Sequence, residues 1–513
     1  MKRKTKKARS YATTLVITLM LTTVAYSQPK RDKLLKLTEE VFPSALENFK
    51  GFLSIPNNGL FPEHVEANML WCEDEFQQRG FETQRIDTKG APLLLAERQA
   101  KRKNKPTLLI YLQIDGQPVD SSKWNQPSPY TPVLKFSGDE LSDTLSWQTL
   151  DENYDPDWRI YARSASDAKG PVAMFLAAMD VMNNYRWQPD YNLKIIMDFE
   201  EELGSPHLPE AVEDNRALLA ADMLVILDGP RHPNNKPTLT FGARGISTIT
   251  LKVFGPKYPQ HSGHYGNYVP NPALRLSQLL SSMKDAYGRT TISGFYEGIT
   301  LADSVKNVLR RVPDDEDEIM QQIGIASPDS VAVSLQEAIQ YPSLNIRGLS
   351  SGWVGDEVRT IIPSEAVAEI DIRLVKETDG VRLVNLVKEH IKNQGYHFVE
   401  GQPTDKERTE HSKLISFEYQ HSYAAFRTSF NSEIGVFLEK ALQRAFIVDP
   451  IKLRTSGGSI PIAPFVTTLG VPAVTVPTVN RDNNQHSPNE NIRLGNFFEG
   501  IVTCLAILTE PMK

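Results

Sequence analysis

Two cysteines in 513 residues rule out a disulfide framework and a thiolate zinc ribbon. Cys72 and Cys504 sit among helix-spaced apolar residues and read as buried thiols, with one mutual disulfide as the alternative in an oxidising compartment. Neither has a reactive setting and no nucleophile elbow is expected, which disfavours cysteine and serine hydrolases. Positive charge is also short. The formal net charge is -7, and it becomes -13 without the basic leader described next, which holds six Lys/Arg and no acid. That balance argues against nucleic acid or an anionic membrane as partner. No internal repeat is evident. Any metal must be held by imidazole and carboxylate.

The leader is Met1 to Arg9 (M-K-R-K-T-K-K-A-R), a basic stretch, followed by an apolar, Thr-rich run from Tyr11 to Tyr26. Ala25-Tyr26-Ser27 forms a cleavage site before Gln28. Residues 1–27 read as a secretory signal peptide, implying a secreted or periplasmic protein with no membrane contact after cleavage. The remaining length exceeds one core. Apolar strands (Pro106 to Gln113, Tyr191 to Met197, Asp222 to Asp228) alternate with helices such as Gly170 to Asn184, the order of a mostly parallel α/β sheet. From Ile246 the pattern becomes alternating and half-exposed. A β-α-β-β-α-β order follows, ending at Tyr396 to Gly401. The expectation is a catalytic unit formed by residues 28–243 and 413–513, with an α+β unit, residues 244–412, inserted. Ser137 to Asp157 and Tyr287 to Tyr341 read as insertions of unassigned purpose.

The chemistry centres on Met197 to Pro206, M-D-F-E-E-E-L-G-S-P, where three consecutive glutamates end a strand. Carboxylates so placed repel and lose hydration unless a cation compensates. Other acids recur at strand ends or helix starts: Asp115 in Q-I-D-G-Q-P, Asp167 in A-S-D-A-K-G-P and Asp228 in L-D-G-P. His486 sits in Q-H-S-P-N-E. Singly, an N-cap or an exposed histidine explains each. Together they form a carboxylate and imidazole set that suits Zn²⁺ first, with Mn²⁺ or Co²⁺ as alternatives.

These stretches, with H-S-G at His261, T-I-I-P-S-E-A-V-A-E-I-D-I-R-L-V and G-G-S-I-P, resemble a known family. It is the co-catalytic zinc peptidases that include carnosine dipeptidase, glutamate carboxypeptidase, acetylornithine deacetylase and aminoacylase. The resemblance covers nearly the whole chain after the leader. It implies two divalent ions, with Asp167 bridging them, Glu202 and His486 completing one site and Asp228 serving the other. It implies Glu201 as general base and Asp115 as the acid that orients a ligand histidine. It implies a zinc-exopeptidase-like fold with a ferredoxin-like lid and dimerisation domain, and a homodimer in which His261 reaches the partner's site. Thr360, Arg373, Arg454 and Ser459 resemble substrate-holding residues.

One position departs. The family pattern is H-x-D, and here Gln113 precedes Asp115 by two. An amide oxygen is a weaker zinc donor than imidazole, so Gln113 is a doubtful ligand. The expected activity is hydrolysis of a peptide bond near a free carboxylate, in a short peptide. An N-acyl amino acid is the alternative substrate, and a catalytically impaired peptide-binding relative is the alternative protein.

Overall fold

A computed structural model describes residues 28–136, 138, 141–151 and 154–512. The leader therefore lies outside the described residues, as does part of the 137–157 segment. Among the described residues, no helix is long and apolar enough to cross a membrane.

The larger unit is built on an eight-stranded sheet. Its strands run in the order Glu82–Ile86, Leu93–Arg98, Asn192–Asp198, Thr107–Gln113, Met223–Ile226, Ala473–Thr475, Thr238–Thr240 and Ile451–Leu453. The four strands from Asn192–Asp198 to Ala473–Thr475 are mutually parallel. Their uniformly apolar sequences follow from burial on both faces. Along Thr107–Gln113, Leu108, Ile110 and Leu112 enter one core with the helices Arg31–Leu53, Lys169–Asn184, Glu433–Phe446 and Leu494–Leu508. Leu109 and Tyr111 enter the other, against Leu208, Val212 and Phe465. Cys72 and Cys504 are buried and unpaired, so the disulfide alternative is not realised; burial pushes the Cys504 thiol up to about 12.

The smaller unit is a five-stranded sheet, in the order Ser343–Ser350, Glu365–Leu374, Gly245–Phe254, Leu414–Tyr423 and His397–Phe398. Gly245–Phe254 alternates buried and half-exposed residues, as its sequence predicts. The helices Pro272–Met283 and Gly380–Asn393 cover one face; their starts are capped by the side chains of Asn271 and Asp379. The expected end of this unit at 412 falls one strand short. Leu414–Tyr423 pairs with Gly245–Phe254 along its whole length and occupies the place expected for Tyr396 to Gly401, of which only His397–Phe398 is strand, at the sheet edge. Gly348-Leu349-Ser350-Ser351-Gly352 fits the spacing of a nucleophile elbow. It runs off an antiparallel edge strand with no α-helix directly after it, and so forms none.

Tyr287 to Tyr341 is short helices and loops fastened to the larger unit. Asp314 lies 2.8 Å from the buried His232, and Gln340 accepts a hydrogen bond from Arg454.

Candidate active site

Three parallel strands end side by side and deliver acids at their C-terminal ends, where open α/β sheets place their sites. Asp115, buried just past Thr107–Gln113, accepts the backbone N–H of Glu201 on Oδ1 (3.0 Å) and that of Glu202 on Oδ2 (3.1 Å). Beneath the same turn, Asp198 accepts from Tyr111 Oη (3.0 Å), Ser205 Oγ (2.6 Å) and the Glu200 N–H (3.0 Å). Gly204 then closes the turn at φ +83°, a left-handed conformation that favours glycine. The acidic turn is thus held by two buried carboxylates on its backbone, which fixes where Glu201 and Glu202 project.

Asp167 comes from the loop before Lys169–Asn184. Glu490 organises that loop. It accepts from Arg163 (2.7 Å), the N–H groups of Ser164, Ser166 and Asp167 (2.9, 3.0 and 2.8 Å) and Ser166 Oγ (2.9 Å). His486 Nε2 lies 3.0 Å from Asp167 Oδ2 and 3.4 Å from Glu202 Oε2. Asp167, Glu202 and His486 each offer one ligand atom, and these atoms lie within 4.8 Å of one another. His486 is 54% exposed while both acids are buried, so the group opens to solvent on the imidazole side.

The electrostatics match a site built for cations. Burial, then the charge of Asp167, raises Asp228 to about 7. Burial raises Asp167 to about 6 against the opposing His486 hydrogen bond. Burial and the charges of Asp228 and Glu202 push Glu201 well above the usual carboxylate range. Its contact with Asp167 raises His486 to about 9. A divalent ion reverses these shifts, because it favours every deprotonated ligand. The donor chemistry therefore fits a metal.

The other expected residues divide into three places. Arg373 donates to Ser459 Oγ (2.9 Å) and to Asp371 (3.1 Å), so the structure brings Arg373 and Ser459 together. Arg454 is engaged elsewhere, by Gln340 and by Glu377 at 3.8 Å. Arg454, a carboxylate-binding candidate by sequence, is thus not brought to Arg373 and Ser459 by any hydrogen bond. His261 and Thr360 lie exposed where two short strands distant in sequence, Gln260–His261 and Ile361–Ile362, pair beside the smaller sheet. There the Ser262 N–H donates to Thr360 O (3.2 Å) and His261 Nδ1 accepts the Gly263 N–H (3.0 Å).

Residues 139–510 match the model of Peptidase family M20/M25/M40. The chain belongs to this family. It is 27% identical over 511 residues to a Cys-Gly metallodipeptidase of Candida albicans, covering 94% of this chain and 98% of that protein. It is 26% identical over 426 residues to the human Beta-Ala-His dipeptidase, covering 82% and 77%. An M20 family metallo-carboxypeptidase from Sulfolobus solfataricus superposes with a TM-score of 0.75 at 26% identity, over 91% of this chain and 98% of that one. Human carnosine dipeptidase 1 shares the fold, with a TM-score of 0.74 at 22% identity over 94% and 99%. The M20 chain described here is a dipeptidase-like metallopeptidase.

Sequence reasoning passed over two residues that position the site. Glu490 was within reach, since H-S-P-N-E had been singled out, but its partners lie more than 300 residues away. Asp198 stands three residues before Glu201 and is masked by the more conspicuous glutamates.

Proposed function

We propose that this chain hydrolyses dipeptides carrying a free C-terminal carboxylate, using two divalent cations and Glu201 as general base. The observation that carries this reading is the convergence of Asp167, Glu202 and His486 at one strand-end cluster, with the half-buried Glu201 next to Glu202 in the same turn and outside the ligand group. Asp167, Glu202 and His486 would hold one cation, and Asp167, Asp228 and Gln113 the other. Bound there, the cations would polarise the scissile carbonyl and acidify a water. Glu201, a carboxylate outside the ligand group, would take a proton from water and return it to the leaving amine. Asp115 fixes Glu201 in place through the backbone rather than by touching substrate. Arg373 and Ser459 receive the carboxylate. His261 and Thr360 act on the partner subunit's substrate in a homodimer, with His261 stabilising the oxyanion. The leader sends the protein out of the cytoplasm.

The test is turnover of a panel containing Cys-Gly, β-Ala-His and the matching N-acetyl amino acids, after Zn²⁺, Mn²⁺ or Co²⁺ is added to chelated protein. Cleavage of dipeptides dependent on added metal is expected. Preferential cleavage of the N-acetyl amino acids overturns the substrate assignment.

A further inference from the structure

The two groups of residues assigned above to cations are not chemically alike. Asp167, Glu202 and His486 offer two carboxylate oxygens and one imidazole nitrogen. The second group has Asp167, Asp228 and the amide of Gln113, hence oxygen donors alone. Strand register sets Gln113 beside Asp228. Thr107–Gln113 and Met223–Ile226 pair in parallel with Tyr111 opposite Ile226, and the ladder continues as the Leu227 N–H donates to Tyr111 O at 3.2 Å. Two residues further along each chain stand Gln113 and Asp228, on the same face by the alternation of side chains. Gln113 is 2% exposed and its Nε2 has no hydrogen-bond partner. As an N–H donor, that nitrogen calls for an acceptor such as water against it; a cation would take the amide oxygen. Asp228 accepts one backbone N–H, from its own neighbour Gly229 at 2.6 Å. Gln113 and Asp228 thus stand side by side at neighbouring strand ends, two side chains that offer a cation oxygen alone.

We infer that the two cation positions of this chain select different metals: Asp167, Glu202 and His486 retain Zn²⁺, whereas Gln113, Asp167 and Asp228 favour a harder cation such as Mn²⁺ and release Zn²⁺ readily. This rests on the metallopeptidase reading given above. The physical reason is donor softness. Imidazole suits Zn²⁺, whereas carboxylate, carbonyl and water suit Mg²⁺ and Mn²⁺. The neutral amide also adds no charge and cannot be made more basic by an acid behind it, as an imidazole can. Asp115 has both oxygens committed to the Glu201 and Glu202 backbone and accordingly orients the acidic turn rather than Gln113.

The experiment is metal analysis of the full chain, independent of activity. Chelated protein is loaded with excess Zn²⁺, or with equal Zn²⁺ and Mn²⁺, then desalted; metals are counted and Mn²⁺ is read by electron paramagnetic resonance. Wild type is expected to keep one Zn²⁺ from the first mixture and one of each ion from the second. Gln113→His is expected to keep two Zn²⁺ and to bind the second at least about tenfold more tightly. Gln113→Glu preserves the side chain's size and all-oxygen character, and is expected to tighten Mn²⁺ rather than Zn²⁺, so the inference stays testable if the histidine variant folds poorly. Two Zn²⁺ held equally by wild type, or Mn²⁺ excluded from the mixed loading, overturns the inference; if dipeptides are still cleaved, the proposed function stands. No metal retained by any form, with no cleavage, overturns both.

Discussion

The eight-stranded and the five-stranded sheets both carry polar residues expected to do chemistry, yet only the larger one gathers them into a cluster inside one chain. At its parallel strand ends Asp167, Glu202 and His486 converge, with Asp115, Asp198 and Glu490 anchoring the loops behind them. In the smaller unit, His261 and Thr360 stand exposed at a separate pair of short strands joined through backbone contacts, and of the expected residues there only Arg373 reaches the larger unit, through Ser459. The difference follows from the kind of sheet. Parallel strands end at one edge and point their loops at one another. An antiparallel sheet sends consecutive loops to opposite edges and leaves its polar residues to meet something outside it. The larger sheet carries the acids and the histidine that could hold a metal; in the proposed function the smaller unit adds contacts that a second chain completes.

The comparison breaks first at the shared ligand. Asp167→Asn removes a donor common to both cation positions; turnover is expected to fall about a thousandfold or more, as several kcal/mol of charge stabilisation is lost, with metal content falling in the same samples. The smaller sheet's part is sharpened by mixing. His261→Ala alone is expected to lose about a hundredfold, the cost of one oxyanion donor. A mixture of the impaired His261→Ala and Glu201→Gln chains is expected to recover activity above that of either alone, since mixed dimers contain one site with both residues intact. No recovery in exchanging dimers contradicts action across subunits. Arg373→Ala is expected to raise KM about ten- to a hundredfold with a smaller change in kcat, from the ~1.5–3 kcal/mol of a hydrogen bond to a charged group.

The smallest effect lies in metal-free stability. Asp228 is raised to about 7 in the folded chain, above the ~3.9 of an unfolded aspartate. Its contribution is therefore complete below about pH 4 and is lost as pH rises through about 7. Metal-free Asp228→Asn is expected to melt higher than metal-free wild type at pH 8, by roughly 2–4 °C, and to match it at pH 4. Saturating metal reverses the order at pH 8, which differential scanning calorimetry reads directly.

Much of the larger sheet was legible because its strands are buried on both faces and so read as unbroken apolar runs ending in acids. The Gly245–Phe254 strand was legible from its alternation. Thr238–Thr240 and Ile451–Leu453 were not, being three residues each with no period to detect. Leu414–Tyr423 completes the smaller sheet although it lies beyond the expected boundary at 412; its second half is polar and exposed and carries no apolar run to mark it as a strand. At the site, the residues expected to hold metal were readable as acids at strand ends, since that placement is costly without a cation. The residues that hold those acids in place were not: Glu490 acts through backbone groups far away in sequence. The setting of Arg454 was hidden for the same reason, since its partners Gln340 and Glu377 lie far from it along the chain.

The most direct test pairs metal analysis with dipeptide turnover in Glu201→Gln. The account predicts metal content equal to wild type and a fall in kcat of about 10²–10⁴-fold, the share of a positioned general base. Wild-type turnover by a fully loaded Glu201→Gln protein would contradict it.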